Sequence, residues 1–124
     1  MTLSLDYNQR LNLVAMLDAL ENVGRREAWA VCALQEKLDL NDQERLAIGW
    51  KKIKTDDGRE YILWDRNTSL ESHEYDLPEE DIRRICNAVD KYPVVLGRDK
   101  HWWSPLAAQL PRPAERNGDS NGNR

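Results

Sequence analysis

The stretch from Trp50 to Trp64, WKKIKTDDGREYILW, decides how the chain is read. Two runs of β-prone residues flank Asp57-Gly58, the strongest short-range turn signal in the sequence. The pattern predicts a β-hairpin. With a two-residue loop, Ile53 faces Ile62 and Lys51 faces Trp64, while Lys54 faces Tyr61 and Lys52 faces Leu63. Ile53, Ile62 and Trp64 then line an inward face, and Lys52, Lys54, Tyr61 and Leu63 look outward. A slip of one residue would swap the faces, so the assignment depends on the turn.

Everything before this stretch reads as helix. Asp6 and Gln9 have capping-box spacing and predict a first helix from Asp6 to a stop at Gly24. Leu13, Leu17 and Leu20, with Leu11, Val14, Met16 and Val23, give it an apolar face wide enough to pack on two sides. A second helix is predicted over 26–38, with Ala28, Val31, Leu34 and Leu38 on one face. Trp29 falls nearly opposite that face. Asn41 and Glu44 repeat the capping-box spacing and start a short third helix closed by Gly49, with Leu46 and Ile48 inward.

After the hairpin, His73, Tyr75 and Leu77 alternate with Glu74 and Asp76, as in a short third strand beside it. Pro78 opens a helix over 78–92, and Glu79, Glu80 and Asp81 suit its N-terminus. Its apolar face is Ile82, Ile85, Cys86 and Val89. Val94-Val95-Leu96 reads as extended, and Ser104-Pro105 opens a last short helix. From Pro111 the chain has no large apolar residue. Residues 1–110 therefore read as a single α+β domain, and 111–124 as a disordered polar tail.

Composition narrows the function classes. The net charge of −4 argues against a partner held chiefly through phosphates. No apolar run is long enough to cross a bilayer, and residues 1–10 lack the features of a secretory signal. Two cysteines, Cys32 and Cys86, are too few for a stapled secreted domain, so a reducing cytoplasm is the expected compartment. Cys32, His73, Cys86 and His101 show no close ligand spacing. They read as two core cysteines and two surface histidines, and no metal or cofactor is expected. Phosphate-loop, dinucleotide and nucleophile-elbow motifs are missing, so the chain does not read as an enzyme.

Two features point to partners. Between positions 71 and 81 lie Glu71, Glu74, Asp76, Glu79, Glu80 and Asp81, with no Lys or Arg. A helix N-terminus accounts for the last three, but not for Glu71, Glu74 and Asp76. Such a strip suits a basic surface on another protein. The aromatic residues are the second feature. Trp102 and Trp103 are adjacent and cannot both point inward along an extended chain. With Trp29 they form either one satellite core or an exposed anchor.

Three helices followed by a β-hairpin resemble the element order of a winged-helix domain, with 78–92 packed across the sheet. In that arrangement the hairpin is the wing, and Lys51, Lys52, Lys54, Arg59 and Tyr61 would touch nucleic acid. Asp42 and Glu44, at the start of the third helix, would repel phosphate there. The segments RLNLVAML (10–17), LDLNDQE (38–44), LPEEDIRRI (77–85) and SPLAAQL (104–110), with the segment around Trp64, also resemble a group of small proteins encoded by phages and prophages. That resemblance implies an accessory protein acting in the cytoplasm of a bacterial host. The leading reading is a non-catalytic protein-binding module that inhibits or redirects host machinery through its acidic surface. The alternative is a small DNA-binding regulator using the lysine-bearing hairpin.

Overall fold

The computed structural model describes residues 1–65 and 71–112. It is an α+β structure with two small antiparallel sheets. In chain order the elements are β1 (Thr2–Asp6), α1 (Tyr7–Asp18), α2 (Arg25–Leu38), α3 (Asp42–Ala47), β2 (Lys51–Lys54), β3 (Glu60–Leu63), β4 (Ser72–Asp76), α4 (Glu79–Lys91) and α5 (Leu96–Ala108). The tail beyond Arg112 lies outside the described residues.

Both capping boxes form. The Gln9 amide donates to Asp6 Oδ1 at 2.7 Å, and the Asp6 amide donates to Gln9 Oε1 at 2.9 Å. Asn41 and Glu44 do the same for α3 at 2.8 and 3.0 Å. Each box satisfies two donors that a helix start otherwise leaves bare. α1 contacts β1, α2, α4 and α5, which is why its apolar face had to be wide. It ends at Asp18 rather than at Gly24, and Asn22 takes the left-handed conformation in the connection to α2.

The sequence pattern does not predict the N-terminal strand. Leu3 and Leu5 alternate with Thr2 and Ser4, and both leucines are fully buried. This strand pairs with β4, in the register Leu3 opposite Tyr75 and Leu5 opposite His73. β4 therefore lies beside β1, not beside the hairpin. Its half-buried face, His73 and Tyr75, complements the leucines, whereas the hairpin carries lysine on both faces. The described strands thus do not form a three-stranded sheet around the hairpin, and α4 packs on α1 instead of across it.

The main core joins β1, α1, α2, α4 and α5 through residues such as Leu5, Leu13, Leu34, Ile85, Trp102 and Leu106. A second, smaller cluster centres on Tyr7, Leu40 and Ile48, and Leu11, Trp50 and Trp64 pack on it. The hairpin is attached through these two tryptophans and through the Asp65 amide, which donates to the Ile48 carbonyl at 2.7 Å.

The hairpin register differs by one residue from the predicted one. Ile53 faces Tyr61, Lys52 faces Ile62 and Lys51 faces Leu63. The cause is the turn. Thr55 pairs with Arg59, and the Gly58 amide donates to the Thr55 carbonyl at 3.0 Å, so Asp56, Asp57 and Gly58 form a three-residue loop. Gly58 has φ +83°, the left-handed position that such a loop reserves for glycine. Ile53 and Ile62 therefore lie on opposite faces, and both are exposed along with Tyr61 and Leu63. They do not join Trp64 in the core.

Three further expectations are corrected. Leu46 is 83% exposed while Ile48 is fully buried. Two residues apart on a helix is about 200° of rotation, so both cannot face inward. Cys32 is exposed, one position off the Val31 face, while Cys86 is buried. The last helix starts at Leu96, not at Ser104, and runs through Pro105. Its start is fixed by the buried Asp99 carboxylate, which accepts from the Val95 amide at 3.0 Å.

Candidate interaction surface

β4 has two very different sides. Its inner side is sealed by a polar hub around Arg10, which is 3% exposed. The Arg10 guanidinium sits 5.4 Å from the ring centres of both Tyr7 and Tyr75. It donates from Nε to the Leu38 carbonyl at 2.8 Å and from Nη2 to the Asp39 carbonyl at 2.9 Å. Its two terminal nitrogens close on the Glu44 carboxylate. His73 stacks on Tyr7, with Nε2 3.2 Å from the phenol oxygen. Burial pushes the Tyr7 phenol up, and Glu71 and Glu44 add to the shift. Only Tyr7 and Arg10, three positions apart on α1, are local; the other partners of the hub lie about thirty to sixty-six positions away, so sequence spacing does not mark it.

The outer side is acidic and open. Glu71, Glu74, Asp76, Glu79 and Glu80 are all exposed. Glu74 and Asp76 share the outer face of β4 with Ser72. Glu71 lies just before β4, two positions from His73. Asp76 lies 3.5 Å from the N-terminal ammonium group. Asp81 is not part of this surface. It is buried, and it pairs with Lys37 at 3.4 Å and Arg84 at 2.8 Å.

The pairing of β4 with β1 also fixes which backbone groups face outward. Met1 and Leu77 exchange hydrogen bonds in both directions, at 3.1 and 2.9 Å. Antiparallel strands alternate bonded and non-bonded pairs. Leu3, Leu5, His73 and Tyr75 therefore point their amides into the ladder, and Ser72, Glu74 and Asp76 point theirs away from it. The same parity holds on β1, where the outward groups of Ser4 and the outward amide of Asp6 are occupied. The Gln109 side chain accepts from the Ser4 amide at 2.7 Å and donates to the Ser4 carbonyl at 2.9 Å. Gln9 holds the Asp6 amide. This edge of the sheet is thus blocked by glutamines at Ser4 and Asp6. Along the other, β4 has β1 as its one extensive neighbour among the described residues.

The aromatic candidates separate. Trp102 is 4% exposed and meets Tyr92 edge-on, with ring centres 5.7 Å apart. Trp103 is half-buried against the core, and its buried indole N–H has no hydrogen-bond partner among the described residues. Trp29 is 70% exposed on α2, so the three do not make one satellite core. On the hairpin, Lys51, Lys52, Lys54, Arg59 and Tyr61 are all exposed. Lys52 lies 4.0 Å from Glu60 and Arg59 3.4 Å from Asp57. α3 has six residues, and Glu44 at its start is held by Arg10.

Among the described residues, no group of three His, Cys, Asp or Glu side chains gathers as a metal set, and no helix is long and apolar enough to cross a membrane. Comparison with family models, with curated proteins and with solved structures finds no match to this chain.

Proposed function

We propose that the protein is a non-catalytic protein-binding module that docks a basic partner through the acidic outer side of β4. The observation that carries this reading is the display of Glu74 and Asp76 side by side on one open face, with Glu71, Glu79 and Glu80 exposed beside them. Residues 71–80 hold five exposed acids and no Lys or Arg, so the field there is negative. Such a field steers a basic partner and rejects acidic ones. In the setting implied by the phage resemblance, the partner is a component of a bacterial host cell, and binding inhibits or redirects it.

Charge reversal tests the reading. The wild type is expected to retain a partner from bacterial lysate at low salt, and the triple variant Glu71→Lys/Glu74→Lys/Asp76→Lys to lose it. Equal recovery by both would sink the proposal. The competing reading, duplex binding by the hairpin, is supported by the exposure of Lys51, Lys52, Lys54 and Tyr61. Tight, salt-sensitive binding to random duplex that weakens in Lys52→Glu/Lys54→Glu would reverse the ranking.

A further inference from the structure

From the ladder parity and the charge of β4, we infer that its outer edge, which no described residue pairs with, accepts an extended basic segment of a partner protein as an added strand. This rests on the acidic-surface reading and deepens it by naming the form the partner takes. An unpaired edge offers a row of donors and acceptors that an incoming chain can match. In such complexes main-chain bonds supply affinity, and alternate side chains supply specificity. Ser72, Glu74 and Asp76 present those groups here, and their side chains share the outer face.

The occupant follows from charge. In an antiparallel addition, the residues directly opposite Glu74 and Asp76 lie about 5.5 Å away, on the same face. Opposite charges are favoured there and like charges are penalised. The incoming segment therefore carries Lys or Arg at every second position. A second copy pairing β4 against β4 would set acid against acid, so the charge that attracts a basic strand also prevents self-pairing. A second copy's β2, with Lys52 and Lys54, has the right alternation. That contact would be head-to-tail and would not close into a simple dimer. The inner face gives β4 the stiffness a template needs. Tyr75 and His73 are held by Arg10 and Tyr7, so the strand is ordered before a partner arrives.

The closed edge of β1 shows that this fold has the means to block an edge. Gln109 covers Ser4 with the two bonds that a neighbouring strand would make. No corresponding side chain covers the outward groups of β4 among the described residues. The two edges of a two-stranded sheet are thus treated oppositely, and the open one carries the acids.

The test uses the full chain and a short synthetic peptide of alternating Lys and Thr, followed by amide chemical shifts. Shifts centred on the Ser72, Glu74 and Asp76 amides are expected, with slowed hydrogen exchange at those positions. Two peptide variants separate strand addition from plain charge docking. N-methylation at the Lys positions removes the donors that face β4 and keeps every charge. It is expected to weaken binding about tenfold or more, given roughly 1 kcal/mol for each bond lost. N-methylation at the Thr positions, whose amides face away, should leave binding nearly unchanged. If both methylated peptides bind like the parent, the added strand is overturned while the acidic-surface reading stands. If Glu74→Lys/Asp76→Lys, or the milder Glu74→Gln/Asp76→Asn, binds the parent peptide as well as the wild type, both ideas fall. Absence of shifts along β4 overturns the inference. So does concentration-dependent self-association that protects the β4 amides without peptide, because the occupant is then a second copy.

Discussion

Arg10 Nη1 lies 2.6 Å from Glu44 Oε2, and Nη2 lies 3.1 Å from Oε1, so α1 and the start of α3 are joined by a two-pronged ion pair. Glu44 serves twice, since the same carboxylate completes the capping box of α3. Removing it leaves a guanidinium that is only 3% exposed without its counter-charge. Breaking a buried pair at one end costs about 3 kcal/mol or more. Glu44→Gln is therefore expected to lower stability by about 3 kcal/mol in urea unfolding at pH 7. Glu44→Gln/Arg10→Met should recover part of that loss, because no charge is then stranded. A Glu44→Gln variant as stable as the wild type would contradict the hub.

The same pair sets a pH dependence. The hydrogen bond from Arg10 holds the Glu44 carboxyl below its ordinary range, against the opposing effect of burial. A carboxyl lowered by folding stabilises the native state at pH above its unfolded value, about 4.3, and that contribution is lost as pH falls through the folded value. The urea midpoint should fall on acidification from about pH 5 downward. In Glu44→Gln that fall should be shallower.

Asp99, at the start of α5, gives a second acid-sensitive contact. Its carboxyl is held well below the usual range, first by the Arg98 guanidinium and then by the Val95 amide and the Tyr92 hydroxyl. The sign is the same: stability is present above the ordinary aspartate range and is lost as pH falls through the folded value. Asp99→Asn keeps the size of the side chain but not its charge. It is expected to fray the first turn of α5 and to weaken the near-ultraviolet signal of Trp102 packed on Tyr92. The difference in melting temperature between neutral and acidic pH should also be smaller than in the wild type. An unchanged pH profile would show that Asp99 is not one of the groups responsible.

What the sequence made legible, and what it hid, divides by range. Asp6–Gln9 and Asn41–Glu44 are local, and their capping boxes could be read directly. The α4 face of Ile82, Ile85, Cys86 and Val89 is also local, and it is buried as its spacing implies. β1 was hidden because Leu3-Ser4-Leu5 is too short to declare itself without β4, about seventy residues later. The spacing predicts the hairpin but not its register, because Asp57-Gly58 fits both a two-residue and a three-residue loop. The bonds of Thr55 and Arg59 to Asp57 decide between them. For the candidate surface, the acids were visible as a run. The open edge that gives them a geometry depends on Met1, Leu77 and Gln109, which no local pattern connects.

Gly58 tests how independent the hairpin is. Space around it is open, so the objection to a side chain there is conformational, not steric. Gly58→Val places a β-branched residue at φ +83°, a backbone region such residues strongly avoid. A two-stranded hairpin is marginal on its own. Amide protection over 51–63 is therefore expected to be lost, while protection in α1 and α4 persists, because the hairpin reaches the rest of the fold through Trp50 and Trp64. Loss of protection throughout the chain would mean that the hairpin and the main core unfold as one unit.

The tryptophans provide the last test. Trp102 is buried among core residues at α5, and its carbonyl accepts from the Gln9 side chain at 3.2 Å, tying α5 to the capping box of α1. Trp102→Ala removes a large ring from a packed site and is expected to cost about 3–5 kcal/mol. Trp29 touches mostly solvent, and Trp29→Ala should change stability by no more than about 0.5 kcal/mol. Acrylamide should quench the Trp29 emission freely and leave that of Trp102 largely protected, a contrast measured most simply in variants that lack one or the other. If a binding partner protects Trp29 from quencher while Trp29→Ala leaves folding intact, this indole belongs to an interface. Spacing alone puts Trp29 on the polar side of its helix. Its position off the Val31, Leu34 and Leu38 face, rather than its hydrophobicity, is what makes its exposure intelligible.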